Sequence, residues 1–83
     1  MLKLLFFARL REDLNCHEET LPLPDGIATV GELRDHLCQR GDNWQKALHS
    51  TGLFVAVEQQ VVDWETPLSG SEEVAFFPPV TGG

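Results

Sequence analysis

Val74-Ala75-Phe76-Phe77-Pro78-Pro79-Val80-Thr81-Gly82-Gly83 is the stretch on which the reading of this chain turns. Its first four residues are apolar, the length of a short buried strand. Proline lacks a backbone N–H and fixes φ, so Pro78 and Pro79 cannot continue an interior ladder and hold the chain extended, aimed away from the body. Four residues follow Pro79, and at about 3.3 Å each they reach roughly 13 Å. Gly82 and Gly83 carry no Cβ, so that reach ends in backbone slim enough to enter a narrow slot and approach another molecule's reactive group. The competing reading is a frayed terminus of small residues.

The other dense apolar run, Leu4-Leu5-Phe6-Phe7-Ala8, lies at the opposite end. Residues 2–8 read as a strand whose alternation sends Leu2, Leu4, Phe6 and Ala8 to the core and Lys3, Leu5 and Phe7 to the other face. Between the two runs, Arg9 to Asn15 is a polar connection with Leu10 and Leu14 at helical spacing, one or two turns long. His17 to Leu23 alternates weakly, with Glu19 set against the facing of Leu21 and Leu23; it reads as an edge strand ended by the turn Pro24-Asp25-Gly26. Thr29 to Arg40 is the clearest helix: Thr29 can cap, Glu32 completes a capping box, Val30, Leu33 and Leu37 form the apolar stripe, and Gly41 fits the end. Trp44 to His49 is a shorter helical segment. Leu53 to Val57 is a continuous apolar strand, Glu58-Gln59-Gln60 a turn into the short pair Val61-Val62, and Asp63 to Leu68 a loop anchored by Trp64 and Leu68.

This order predicts an α+β chain in which the first and last strands lie side by side, parallel and central. That is the β-grasp arrangement, as in ubiquitin: a mixed five-stranded sheet with one main helix packed across it and a short second helix. The expectation is a single domain over residues 1–83 with a flexible C-terminal tail, 80–83.

Acidic residues outnumber basic ones 13 to 6, for a net charge of −7. That argues against nucleic acid and anionic membrane as partners and favours a basic protein partner or plain solubility. The N-terminal apolar run is shorter than a signal-peptide core and meets Arg9, Arg11 and Glu12 directly, and no stretch is long enough to span a bilayer. A cytoplasmic location is the default expectation, and Cys16 and Cys38 are then reduced thiols.

The side chains offer little chemistry of their own. Cys16-His17 invites a nucleophile reading, but neighbours on a strand point to opposite faces. Cys38 reads as a small core filler on the helix. His17, His36 and His49 fall on three elements without ligand spacing, which predicts no metal site. Glu18-Glu19 and Glu72-Glu73 abut strand ends, where charge commonly protects an edge, and read as solvated surface. What remains is an apolar outer sheet face: Phe7 and Phe77 near each other at the root of the tail, extended by Val61, best explained as a protein interface. The competing possibility is that the second helix or the Trp64 loop covers it.

Phe6-Phe7-Ala8 with Arg11-Glu12, Thr29-Val30-Gly31-Glu32-Leu33-Arg34, Pro67-Leu68 and above all Glu73-Val74-Ala75-Phe76-Phe77-Pro78-Pro79-Val80-Thr81-Gly82-Gly83 carry a resemblance to the MoaD family of molybdopterin synthase small subunits, over essentially the whole chain. A Gly-Gly ending alone is shared with ubiquitin-like modifiers and with ThiS, the thiamin sulfur carrier. The resemblance implies a sulfur carrier whose Gly83 carboxylate is adenylated by a MoeB-like enzyme using ATP and converted to a thiocarboxylate with sulfur from a donor protein. It further implies that the tail, with Gly82 behind Gly83, enters a MoaE-like large subunit that holds the pterin precursor and the catalytic side chains. Phe7, Val61, Phe77, Pro78, Val80 and Thr81 would then meet partners, and this chain itself would bind no cofactor and have no active site of its own. The alternatives are a modifier conjugated through Gly83 or a ThiS-like carrier.

Overall fold

Alternation along Leu2-Lys3-Leu4-Leu5-Phe6 makes the first strand. In the computed structural model, which describes residues 1–79, β1 spans Leu2–Phe6 with Leu2, Leu4 and Phe6 buried and Lys3 exposed. Its neighbour is β5 (Glu73–Phe77), parallel, with Leu4 opposite Val74 and Phe6 opposite Phe76. On the other side of β5 lies β3 (Phe54–Val57), antiparallel, with Val55 opposite Phe76. β2 (Glu18–Leu21) and β4 (Gln60–Val62) form the edges, giving the order β2-β1-β5-β3-β4. The two densest apolar runs are thus adjacent and parallel, as expected. Parallel neighbours need a long crossover, and here the connection is most of the chain, carrying the helices over one face.

The described residues hold three helices, one more than expected: α1 (Arg9–Leu14), α2 (Val30–Cys38) and α3 (Asp42–Leu48). The connection read as one or two turns between Arg9 and Asn15 is a helix in its own right because burying Leu10 and Leu14 on one side holds it to the core. α2 begins on the expected capping box: Glu32 N–H donates to Thr29 Oγ1 at 3.2 Å, while Glu32 Oε1 accepts from the Thr29 and Ala28 N–H groups at 3.1 and 2.8 Å. It ends at Cys38 with Gln39 as cap, earlier than Arg40, and Gly41 serves as the N-cap of α3 instead of closing α2.

The inner face is organised by a row of rings. Trp44 meets Phe6 edge-on at 5.6 Å, Phe6 stacks on Phe76 at 5.6 Å, and Phe76 stacks on Trp64 at 6.2 Å. Each tryptophan carries a guanidinium on its outer side, Arg34 over Trp64 at 4.1 Å and Arg40 over Trp44 at 4.6 Å, a favourable placement against the ring's negative face. The Trp64 loop comes this close because Gly31 has no side chain: its N–H donates to Trp64 O at 2.7 Å, and a Cβ there would lie 3.0 Å from the same oxygen.

Two facings differ from expectation. Ala8 does not face the core; β1 ends at Phe6, and Ala8 is exposed at φ 56, turning the chain into α1. Alternation holds only while the backbone stays extended, and here Leu10 N–H to Phe7 O and Arg11 N–H to Ala8 O already close the first helical turn. Glu19 shares the facing of Leu21, two residues on, and sits half-buried with both carboxylate oxygens on the Arg40 guanidinium. That fork ties the edge strand to the end of α2, and it holds the Glu19 carboxyl below its usual range: the Arg40 hydrogen bonds lower the pKa, and burial opposes them.

Candidate functional site

The strand register turns the outer face of the sheet into three rows. At one end Lys3 lies between Thr20 and Glu73, with the Glu58 carboxylate accepting from Glu73 N–H at 2.8 Å. In the middle Leu5, Ala75, Ala56 and Val61 follow one another across four strands. At the end where the chain leaves the sheet, Phe77 pairs with Phe54 and the two rings stack at 5.6 Å. Phe7 stands one position beyond the Phe6–Phe76 pair, with its N–H on Phe76 O at 3.1 Å, which puts it in the same row. The face therefore grades from charged, through small aliphatic, to aromatic at the root of the tail.

This aromatic row is open. Phe7 is 42% exposed and Phe54 44%, with Val61 of the middle row at 65%, large apolar side chains left to water on an acidic domain. Neither candidate cover lies on it: Trp64 and Trp44 of α3 both pack on the inner rings. Phe54 was missed from sequence because Leu53 to Val57 is apolar throughout, so alternation has no polar residue to mark the outward positions. Its register against Phe77 is the signal that finds it.

The other candidates are occupied elsewhere. Cys16 Sγ donates to Glu18 O at 3.6 Å, and His17 beside it is exposed. Cys38 is buried, and burial, with Asp35 nearby, pushes its thiol pKa up, against thiolate chemistry. Both cysteines are free. His36 lies on α2 and His49 caps α3, 3.4 Å from Asp35, and no group of three or more ligating side chains gathers among the described residues. Glu72 and Glu73 do not act as a carboxylate pair: Glu72 closes the Ser69–Ser71 turn while Glu73 belongs to the β5 ladder. No helix among the described residues is long and apolar enough to cross a membrane.

Beyond Phe77 the ladder stops. Pro78 is half-buried and Pro79 exposed, and both form one wall of a cleft of about 730 Å3 whose other walls come from α1, α3 and the Ser50–Thr51 segment. Val80, Thr81, Gly82 and Gly83 lie outside the described residues.

Comparison with known proteins places this geometry. The model of the ThiS family matches residues 4–83. The chain is 43% identical to the molybdopterin synthase sulfur carrier subunit of Haemophilus influenzae and 42% identical to the protein of that name from Escherichia coli K12, covering the whole of both chains in each case. Among solved structures it is similar to SAMP1 from Haloferax volcanii, with a TM-score of 0.82 over 99% of this chain and 98% of that one; at 24% identity this likeness shows the fold alone.

Proposed function

The chain belongs to the ThiS family, and from that premise we propose that it is the sulfur-carrier subunit of a molybdopterin synthase, with the carboxylate of Gly83 as its reactive group. The observation that carries the reading is end-to-end identity of 42–43% to two proteins of that name. The physical design is consistent with it. The central strand runs straight into a Pro-Pro step flanked by an open aromatic row, so a docked partner would meet the tail at a defined place.

A terminal carboxylate, with an ordinary pKa of about 3.3–3.7, is ionised at neutral pH and resists attack by nucleophiles. Adenylation by a MoeB-like enzyme using ATP gives it a leaving group: a carboxylate oxygen bonds to the α-phosphorus and pyrophosphate departs. Sulfur from a donor protein then displaces AMP, leaving a thiocarboxylate at Gly83. In a MoaE-like large subunit the tethered sulfur attacks the bound pterin precursor, water then cleaves the acyl–sulfur bond and returns the Gly83 carboxylate, and two such transfers build a dithiolene. Tethering replaces a bimolecular encounter by a positioned one, an advantage of several kcal/mol in favourable cases, up to about 7–11. Phe7, Val61 and Phe77, joined by Phe54, would form the docking face used in turn by both partners, with Pro78, Val80 and Thr81 leading into the pocket. This chain contributes the sulfur and its delivery, and the large subunit the catalytic side chains.

Incubation with the cognate activating enzyme, ATP and a sulfur donor, followed by intact mass measurement, tests the reading. Replacement of one oxygen by sulfur at Gly83 is expected, and a chain lacking Gly83 should stay folded and accept none. Lysine-linked conjugates without a thiocarboxylate would instead identify a protein modifier.

A further inference from the structure

We infer that Gly52 is a positioning residue for the tail: the backbone of the Ser50–Leu53 turn forms the surface against which Pro79 rests, and so fixes the proline step from which the tail departs. The inference rests on the reading of the tail as the reactive element, and deepens it by naming what aims that element.

The register leads to this residue. Phe54 pairs with Phe77 in the antiparallel β3–β5 ladder. Counted two positions further on each strand, Gly52 comes opposite Pro79. Pro78 and Pro79 have no N–H with which to continue the ladder, yet the two chains stay together: a Cβ built on Gly52 would stand 3.3 Å from Pro79 Cγ, 3.6 Å from Cβ and 3.8 Å from Cδ. The ring lies on bare backbone. Gly52 also holds φ +81, in the left-handed region that favours glycine, at the third position of a turn closed by Leu53 N–H to Ser50 O at 3.4 Å. The turn is fixed in turn to α3, since Ser50 Oγ donates to Ala47 O at 2.9 Å.

Among the described residues no strand supports Pro79 on its other side. β1 has already left the sheet at Phe6, and Ala8 carries the chain off into α1. Pro79 there borders the cleft between α1 and α3. A side chain at position 52 must move its neighbour by a few tenths of an ångström, and Pro79 is exposed where it borders the cleft. The proline step would yield before the sheet does. A shift of the stiff Pro-Pro root moves the point from which the tail departs, and in a positioned reaction a misplacement near 1 Å can cost about 100-fold in rate.

The test uses Gly52→Ala, Gly52→Asn, Pro79→Ala and the double variant Gly52→Asn/Pro79→Ala, each charged as the thiocarboxylate and combined with the large subunit and pterin precursor. Asparagine tolerates positive φ better than alanine does, so a shared loss in both Gly52 variants reports the contact and not backbone strain. The expected result is a fall of about tenfold in single-turnover sulfur transfer, with affinity for the large subunit held within about twofold. Measured against Pro79→Ala, the double variant should recover most of that loss, since the ring that Cβ strikes is gone. Full transfer rate in either Gly52 variant would overturn the inference, as would a loss undiminished without the ring or one that merely follows the folded fraction in a thermal melt. A nuclear Overhauser contact between Gly52 Hα and the Pro79 ring, expected in the wild type, checks the contact itself. If wild-type thiocarboxylate transfers no sulfur, the functional reading fails; if the contact is absent from the wild type, the positioning role fails, whatever the activity.

Discussion

Glu72 shows how much one side chain organises here. Its carboxylate accepts from the backbone N–H groups of Ser69 at 2.7 Å, Gly70 at 2.9 Å and Ser71 at 3.1 Å, and from the Ser69 hydroxyl at 3.0 Å. Burial raises its pKa, but these donors outweigh that cost and hold it at about 2, below the ordinary 4.5. A carboxyl depressed in the folded state stabilises above its unfolded pKa, and the contribution is lost as pH falls through the folded value. Glu72→Gln is therefore expected to cost about 1 kcal/mol at pH 7, discounted for solvent screening. Urea titrations of both proteins should show that gap closing between pH 4.5 and 2. A gap that stays constant across this window would mean the carboxylate charge is not what holds the turn.

At the scale of one element, α2 is specified by its first turn and its stripe. The Thr29–Glu32 box satisfies N–H groups that would otherwise be orphaned at the helix start, and Val30, Leu33 and Leu37 are fully buried. Thr29→Ala should destabilise the domain by about 1 kcal/mol, read as a lower melting temperature, while Thr29→Ser should recover most of it. β3 and β4 make a contrasting case. Their two-residue turn, Glu58-Gln59, has positive φ at both positions, 53 and 69, as a type I′ hairpin requires, though neither residue is the usual Asn or Gly. The strand pairing imposes the conformation on residues that do not favour it.

Across the whole molecule the central strand divides two surfaces. Phe76 faces inward between Phe6 and Trp64, and Phe77 faces outward onto Phe54. Substitution of the first should be felt as stability, of the second as binding. Phe54→Asp and Phe77→Asp are expected to weaken association with the large subunit by at least tenfold in calorimetric titration, since truncating a central aromatic anchor commonly costs about 2 kcal/mol or more. Their melting curves should move little by comparison. Unchanged affinity in both would remove the aromatic row from the docking face. The acidic row at the opposite end of the same face, around Glu73 and Glu58, supplies charge that a basic partner surface could use for orientation.

The apolar runs at the two ends of the chain, the capping box and the Pro-Pro step determined by themselves which strands are central, where the main helix begins and where the ladder ends. These are local patterns or counts of apolar residues, and each carries its own physical signature. Pairing partners are another matter. That Glu19 turns inward to Arg40, that Ala8 leaves the ladder, and that Phe54 completes the aromatic row all depend on residues far apart in sequence meeting across the sheet. So does the rest of Pro79 on Gly52. A glycine in a turn is permissive of many conformations, and only the β3–β5 register, fixed by burying Val55 and Phe76 together, brings that one beneath the root of the tail.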